Sequence, residues 1–338
     1  MPRTRSAPAP ATSRAVDRPR RDIAQEITDQ IIALLEQGDP LPWRRPWRTA
    51  GAGLPLRHNG QSYRGINVFM LGLKAMSAGY GSPYWMTFKQ ALELGGAVRK
   101  GERATTVVYY GVSGARDRGD TGDRGEGGET SDPGEVRRFL KWYAAFNADQ
   151  IDGLPDRYFP ARDGALDGGA RPVAPLAQLA DAMVAGLGVG YREGGERACY
   201  IRGSDIIEMP SVRRFECFQR YLATKFHECA HAVEHPKRLA IDYGLKMFGN
   251  EAYAKGELYA ELSSAIVGAT LGFSPDHIED HAAYVQSWLK ALRNDKRFIL
   301  RAAADAQRGA DYMIAAMESA MTGNATGKSD QVRERLSA

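Results

Sequence analysis

Residues 226–236 read FHECAHAVEHP, and no other stretch limits the possible folds as sharply. His227-Glu228-Cys229-Ala230-His231 is an HExxH. Histidines four apart share one face of an α-helix, about one turn apart, so two imidazoles there can reach a single zinc ion. The glutamate between them lies close enough to hold an attacking water. The flanking run YLATKFHECAHAV supplies Leu222, Phe226, Ala230 and Val233 as an apolar stripe, which predicts a helix set in a core. The competing reading is a solvated helix face that carries two histidines by coincidence.

Catalytic zinc takes three protein ligands. His235 stands eight residues after His227, about 12 Å along a straight helix axis, too far to share an ion. The extended pattern HExxHxxGxxH solves this with a glycine turn, but here Glu234 and Lys237 fill the glycine and last-histidine positions. Pro236 also biases His235 out of helical geometry, so His235 reads as a helix-end residue favoured by the dipole. Glu257 and Glu261 in GELYAELSSAIVGATLG are better candidates, four apart on one face of the next helix. Ala260, Ala265, Gly268 and Ala269 let that helix pack closely. Two-helix HExxH…E sites use such a glutamate as ligand, and a carboxylate one turn later bonds a ligand histidine. Glu257 is therefore expected as the zinc ligand with Glu261 behind it, the reverse order remaining open. The expected chemistry is hydrolysis, with Glu228 as the base. Tyr243, Tyr253 and Tyr259 are nearby oxyanion donors, and nothing singles one out.

The chain has 338 residues, 43% of them hydrophobic, a length that suggests two domains. No run of 18 apolar residues occurs, so no membrane span is indicated. The opening MPRTRSAPAPATSRAVDRPRR lacks the apolar core of a secretory signal. Pro8, Pro10 and Pro19 spoil an amphipathic targeting helix, leaving a disordered basic tail as the expectation for 1–21. Three cysteines (Cys199, Cys217, Cys229) without a CxxC fit a reducing cytoplasm. The net charge of +4 is asymmetric: residues 1–112 carry 16 Lys/Arg against 8 Asp/Glu. A basic first half suits a phosphate backbone.

Ile23, Ile27, Ile31, Leu34 and Leu35 form one helical stripe, stopped by Gly38 and Pro40. Val68–Ala78 predicts a helix, and Thr87 caps a short one over FKQALEL. AVRKGERATTVVYYG predicts two strands joined by a turn at Lys100-Gly101, and RRFLKWYAAFN a further strand. Between them, residues 113–135 hold almost no apolar side chain and predict a flexible loop within a long hairpin. A Gly/Pro/Asp-rich linker follows, then a helix near 175–187, a strand pair near 190–210, and helices to Met317.

In the front half Trp43, Trp47, Tyr63, Trp85, Phe88, Tyr109, Tyr110 and Trp142 are interleaved with Arg and Lys. Cations that track phosphates, with aromatics on which bases stack, suit single-strand binding. At least half of these aromatics are expected to be structural. The selected DNA-binding candidates are Trp43, Arg44, Arg45, Trp47, Tyr63, Arg64, Trp85, Lys89, Arg99, Lys100 and Arg103. Trp43–Trp47 is the best-exposed segment, because its prolines keep it extended.

The order WRRPW, NGQSYRGIN, SPYWMTFKQALELGGAVRKGE, FNADQIDGLP, FHECAHAVEHPKRL, FGNEAYAKGELYAEL and HAAYVQSWLKALRNDKRFILRAAADAQRGADY resembles the ArdC-type antirestriction proteins of conjugative plasmids, also described as TraC-primase-like. The resemblance spans about residues 22–317. It implies an α+β chain: an N-terminal α/β single-stranded-DNA-binding domain over 22–152, a linker over 153–171, a mostly helical zincin-like metallopeptidase domain over 172–320, and a disordered tail over 321–338. It implies zinc as cofactor, held by His227, His231 and Glu257 or Glu261, with Glu228 as base. The implied role is protection of incoming plasmid DNA from host restriction. Partners would be single-stranded DNA, with double-stranded DNA as a further candidate, and an unidentified protein substrate or host restriction component. The family pattern has Leu after HE and then HWTG, where this chain has Cys229 and HAVE, which puts an inherited peptidase specificity in doubt. A DNA binder with a structural zinc is the alternative. A primase is a weaker one, because no acidic metal cluster or phosphate-cradling glycine loop is evident.

Overall fold

The computed structural model defines residues 21–37, 53–112, 138–160, 173–244, 250–272 and 282–336. The tail before Arg21, the Trp43–Trp47 segment and the 113–135 loop lie outside these ranges, and so do Trp43, Arg44, Arg45 and Trp47 as DNA-binding candidates.

Helix α1 (Ile23–Glu36) begins where the Asp22 carboxylate accepts the Gln25 N–H, and it buries Ile23, Ile27, Ile31 and Leu35. Strand β1 (Leu56–Arg57), helix α2 (Ile66–Ala78), strand β2 (Tyr84–Met86) and helix α3 (Phe88–Glu93) follow. Thr87 and Gln90 form a reciprocal capping box that starts α3. Beyond it, a Cβ on Gly96 would meet the Ile151 and Leu154 side chains at 2.8 Å, so any larger residue there would have to displace them.

Strands β4 (Thr105–Val112) and β5 (Arg138–Asn147) pair antiparallel over eight positions, as the long-hairpin reading expects. The order of the main sheet is β1-β2-β5-β4. The expected pairing across Lys100-Gly101 does not form. The turn exists, with Gly101 at φ 90°, but β3 (Ala97–Val98) pairs instead with β6 (Ile151–Asp152). A two-residue strand offers little, and β4 gains a far longer ladder from β5. Strand β4 is an edge, and Asn67 of α2 closes it: its amide donates to the Val108 carbonyl at 2.7 Å and accepts the Val108 N–H at 2.9 Å. This blunts an otherwise open hydrogen-bonding edge.

In the second half, α4 (Val173–Leu187) leads to β7 (Gly190–Glu193), β8 (Cys199–Ile201) and β9 (Ile206–Met209). The expected strand pair is a three-stranded sheet, ordered β7-β9-β8, with β7 parallel to β9. Two breaks divide this stretch, one at Gly194-Gly195 and one at Asp205, which adopts φ 55°. Helices α5 (Phe218–Val233), α6 (Glu251–Leu271), α7 (Ala282–Asn294) and α8 (Phe298–Leu336) complete the fold. Helix α6 is buried on nearly every side from Gly256 to Ala269, as expected of the central helix in a bundle. Helix α8 runs to Leu336, through residues where a disordered tail is expected. Among the residues whose burial is described, the last buried one in this helix is Met317, and extending a formed helix needs no new nucleation.

The two halves share packing. Residues of α1 and α2 lie in the same apolar cluster as α4–α8. Thr28 Oγ1 donates to the Lys296 carbonyl at 2.8 Å, the Gly65 N–H donates to Gln307 Oε1 at 3.0 Å, and Arg64 pairs with Asp311. Within the expected linker, Leu154 and Tyr158 are buried, and the Tyr158 hydroxyl donates to the His58 carbonyl at 3.0 Å.

Candidate metal centre

Helix α5 carries Leu222, Phe226, Ala230 and Val233 into the core, which turns His227, Glu228 and His231 toward α6 and the β7–β9 sheet. The two Nε2 atoms stand 3.1 Å apart. Glu257 of α6 faces both, with Oε2 at 3.4 Å from His227 Nε2 and Oε1 at 3.6 Å from His231 Nε2. One ligand atom from each of the three residues lies within 4.8 Å of the others. Tetrahedral zinc with bonds near 2.0–2.1 Å separates its ligand atoms by about 3.3 Å, so the spacing suits such an ion.

The far sides of both rings are held as well. Glu261 Oε1 lies 3.2 Å from His227 Nδ1, and Glu234 Oε1 lies 2.9 Å from His231 Nδ1. Carboxylates on Nδ1 fix the tautomer that leaves Nε2 free for a metal. Among the described residues, Glu257 thus sits on the Nε2 side of the histidines and Glu261 on the Nδ1 side of His227. Glu234 was missed as a site residue. It fills the glycine position of the extended pattern and is 1% exposed. A carboxylate three residues after a histidine on a helix was the available signal. His235 stays outside the cluster; its Nδ1 accepts the Lys237 N–H and its ring meets Tyr200 edge-on.

The electrostatics favour a cation. Burial disfavours charge on both imidazoles, yet the surrounding carboxylates outweigh it and lift both above their ordinary value: chiefly Glu257 and Glu261 for His227, Glu257 and Glu234 for His231. Burial would raise Glu257, but His231 and His227 hold it well below the usual carboxylate range. Glu228 is raised, mainly by burial; the neighbouring His227 and His231, and a backbone hydrogen bond from Tyr200 of β8, partly offset this. Burial pushes the Cys229 thiol up to about 12, so this departure from the family pattern is an inert core residue. Two nitrogens and a carboxylate, with both rings braced from behind, form a donor set for a divalent metal, consistent with zinc.

The DNA-binding candidates divide. Tyr63 and Trp85 are corrected: they are 3% and 1% exposed and pack with Leu71, Val107 and Ala145, so neither ring face is open to a base. Arg64 is exposed and pairs with Asp311 of α8. Arg99 bonds Glu102 at 2.9 Å and Asp152 at 3.4 Å. Lys89 is exposed beside Glu93 at 3.8 Å, and Lys100 and Arg103 are exposed. Among the described residues, the exposed aromatics in this half are Phe88, Tyr109 and Trp142.

Comparison with known proteins places this fold and site in a class. Residues 178–305 match the family model of a zincin-like metallopeptidase, and residues 21–146 match that of the N-terminal domain of anti-restriction factor ArdC. The chain is a mixed α+β protein with a zincin-like C-terminal domain. It belongs to the ArdC antirestriction family. The crystal structure of antirestriction ArdC protein from the R388 plasmid in its Mn(II)-bound form is 41% identical, with a TM-score of 0.70, covering 88% of this chain and 98% of that one. The metal-free form gives 42% and 0.69, covering 88% and 99%. A Sinorhizobium fredii protein designated y4eC is 36% identical over 309 residues, 90% of this chain and 96% of its own length. An Escherichia coli DNA primase TraC is 36% identical over 307 residues, 88% of this chain, which spans only 27% of that longer protein. No helix among the described residues is long and apolar enough to cross a membrane.

Proposed function

We propose that this chain is an antirestriction protein that binds single-stranded DNA through residues 22–152 and carries a zinc metallopeptidase-type site over 172–320, protecting incoming plasmid or mobile-element DNA from host restriction. The observation that carries the catalytic part is the convergence of His227, His231 and Glu257 around one point, with Glu228 beside it. Zinc bound there supplies Lewis acidity and lowers the pKa of water. Glu261 and Glu234 hold the two rings in the metal-binding tautomer. Glu228 accepts the proton of the attacking water at its carboxylate and returns it to the leaving group. Burial raises its proton affinity, which favours proton uptake by a general base. The substrate of this site is an unidentified protein, a host restriction component among the candidates.

The burial of His227, Glu228 and Glu257, at 5–7% exposure, favours one other reading, a DNA binder whose metal is structural. Under it, a Glu228→Gln variant protects transformed DNA as well as wild type does. The peptidase reading requires that protection fall.

DNA binding is tested on the full chain, because α1 is packed into the second half and a fragment would lose that support. A labelled single-stranded oligonucleotide should bind with an affinity that falls about tenfold or more between about 50 and 200 mM salt, as for three or more neutralised phosphates. Absent or salt-independent binding would remove DNA from the account.

A further inference from the structure

We infer that bases of single-stranded DNA stack along β5 of the β1-β2-β5-β4 sheet, on the exposed rings of Trp142 and Phe88, with the half-buried Phe146 between them. This rests on the DNA-binding reading above and assigns it a surface.

Side chains alternate across a strand, so Trp142, Ala144 and Phe146 of β5 share a face. The opposite face carries Tyr143 and Ala145 and packs on Trp85 and Val107. Phe88, at the start of α3, meets Phe146 edge-on with centroids 6.5 Å apart, which brings it onto the same side as Trp142. Trp142 is 43% exposed and Phe88 52%. Ala144 between them is exposed and small, leaving room above the sheet between the rings. Four strand residues span about 13 Å, enough for a few nucleotides at about 3.4 Å per stacked base.

Exposed aromatic rings in line call for flat apolar partners, and the charges beside them call for anions. The Arg21 guanidinium lies 4.7 Å over the Trp142 ring, and Lys89 follows Phe88 directly. Each cation has an exposed carboxylate partner: Glu26 bonds Arg21 at 2.9 Å, and Glu93 lies 3.8 Å from Lys89. Exposed pairs of this kind contribute little, so exchange for a phosphate is easy. Arg21 also ends the basic N-terminal stretch that gives residues 1–112 their excess of 16 Lys/Arg over 8 Asp/Glu. Exposed rings spaced along β5, with cations at both ends, match a single-stranded nucleic acid, whose bases are free to stack.

The test uses the full chain and a fluorescein-labelled oligothymidylate followed by anisotropy. Trp142→Ala and Phe88→Ala should each weaken binding about fivefold or more, as loss of one stacked base does. The salt dependence should stay close to its wild-type value, since the arginine and lysine side chains themselves remain, and a melting temperature within a few degrees of wild type shows that the fold is kept. Wild-type-like affinity in both variants overturns the inference while leaving DNA binding standing. A loss confined to Tyr84→Ala and Arg157→Ala, which line a cavity of about 300 Å³ beside His58 and Asn59, would move the base site there and also overturn it. If the wild type itself ignores the oligonucleotide, the DNA-binding reading fails first and the stacking surface with it.

Discussion

Glu228→Gln is expected to retain the metal and lose hydrolysis. The substitution keeps the side chain's shape and leaves His227, His231 and Glu257 in place. The glutamine oxygen can still accept the Tyr200 N–H that the carboxylate takes now. What disappears is the group able to receive a proton, worth about 10²–10⁴ in rate for a positioned general base. Stability should not fall, because burial opposes the charge that the substitution removes. The measurement is cleavage of a labelled, unstructured protein such as casein, paired with metal analysis of the same preparations. Equal cleavage by wild type and variant would take the base role away from Glu228.

Arg238→Ala is expected to destabilise the chain by about 3–5 kcal/mol, the range for stranding one partner of a buried ion pair. The guanidinium is 3% exposed and grips Asp205 twice, at 2.9 and 3.2 Å. It also donates to the carbonyls of Leu187, at the end of α4, and Ala232, near the end of α5, at 3.1 and 2.9 Å. One side chain thus ties the ends of two helices to the β8–β9 turn, and β8 is the strand that bonds Glu228. Lys237 reaches the same carboxylate at 3.3 Å but is 70% exposed, so Lys237→Ala should change stability by less than about 1 kcal/mol.

The same network predicts a pH signature. Burial would raise the Asp205 carboxyl, but hydrogen bonds from Arg238 and Tyr200 hold it well below its ordinary value. A depressed folded-state value stabilises fully above the unfolded Asp value of about 3.9 and is lost as pH falls below it. The stability gap between wild type and Arg238→Ala should therefore narrow in acid. Urea titrations at neutral and acid pH measure both effects; an unchanged gap would detach the network from acid stability.

The sequence exposes this site unevenly, for physical reasons. HExxH is legible because two ligands and the base lie within one helical turn, where spacing alone sets the geometry. Glu257 and Glu261 are legible as a pair but not in order, because the order depends on how α6 is rotated against α5. Glu234 is legible through its i,i+3 relation to His231, a signal masked by its place at the glycine position of the extended pattern. The pairing of β3 with β6 was out of reach: a two-residue strand has no periodicity, and its partner lies some fifty residues away. Tyr63 and Trp85 show the limit of composition. Beside arginines they resemble stacking platforms, and only the sheet decides which face is inward. Trp142 and Phe88 sit in the same mixed pattern and point out.

Metal content tests the central claim most directly. Elemental analysis of the purified full chain, after dialysis against trace zinc, should find about one zinc per chain, and His227→Ala should hold almost none. The same zinc content in both proteins, or a wild type that binds no divalent metal, would contradict a centre built from His227, His231 and Glu257.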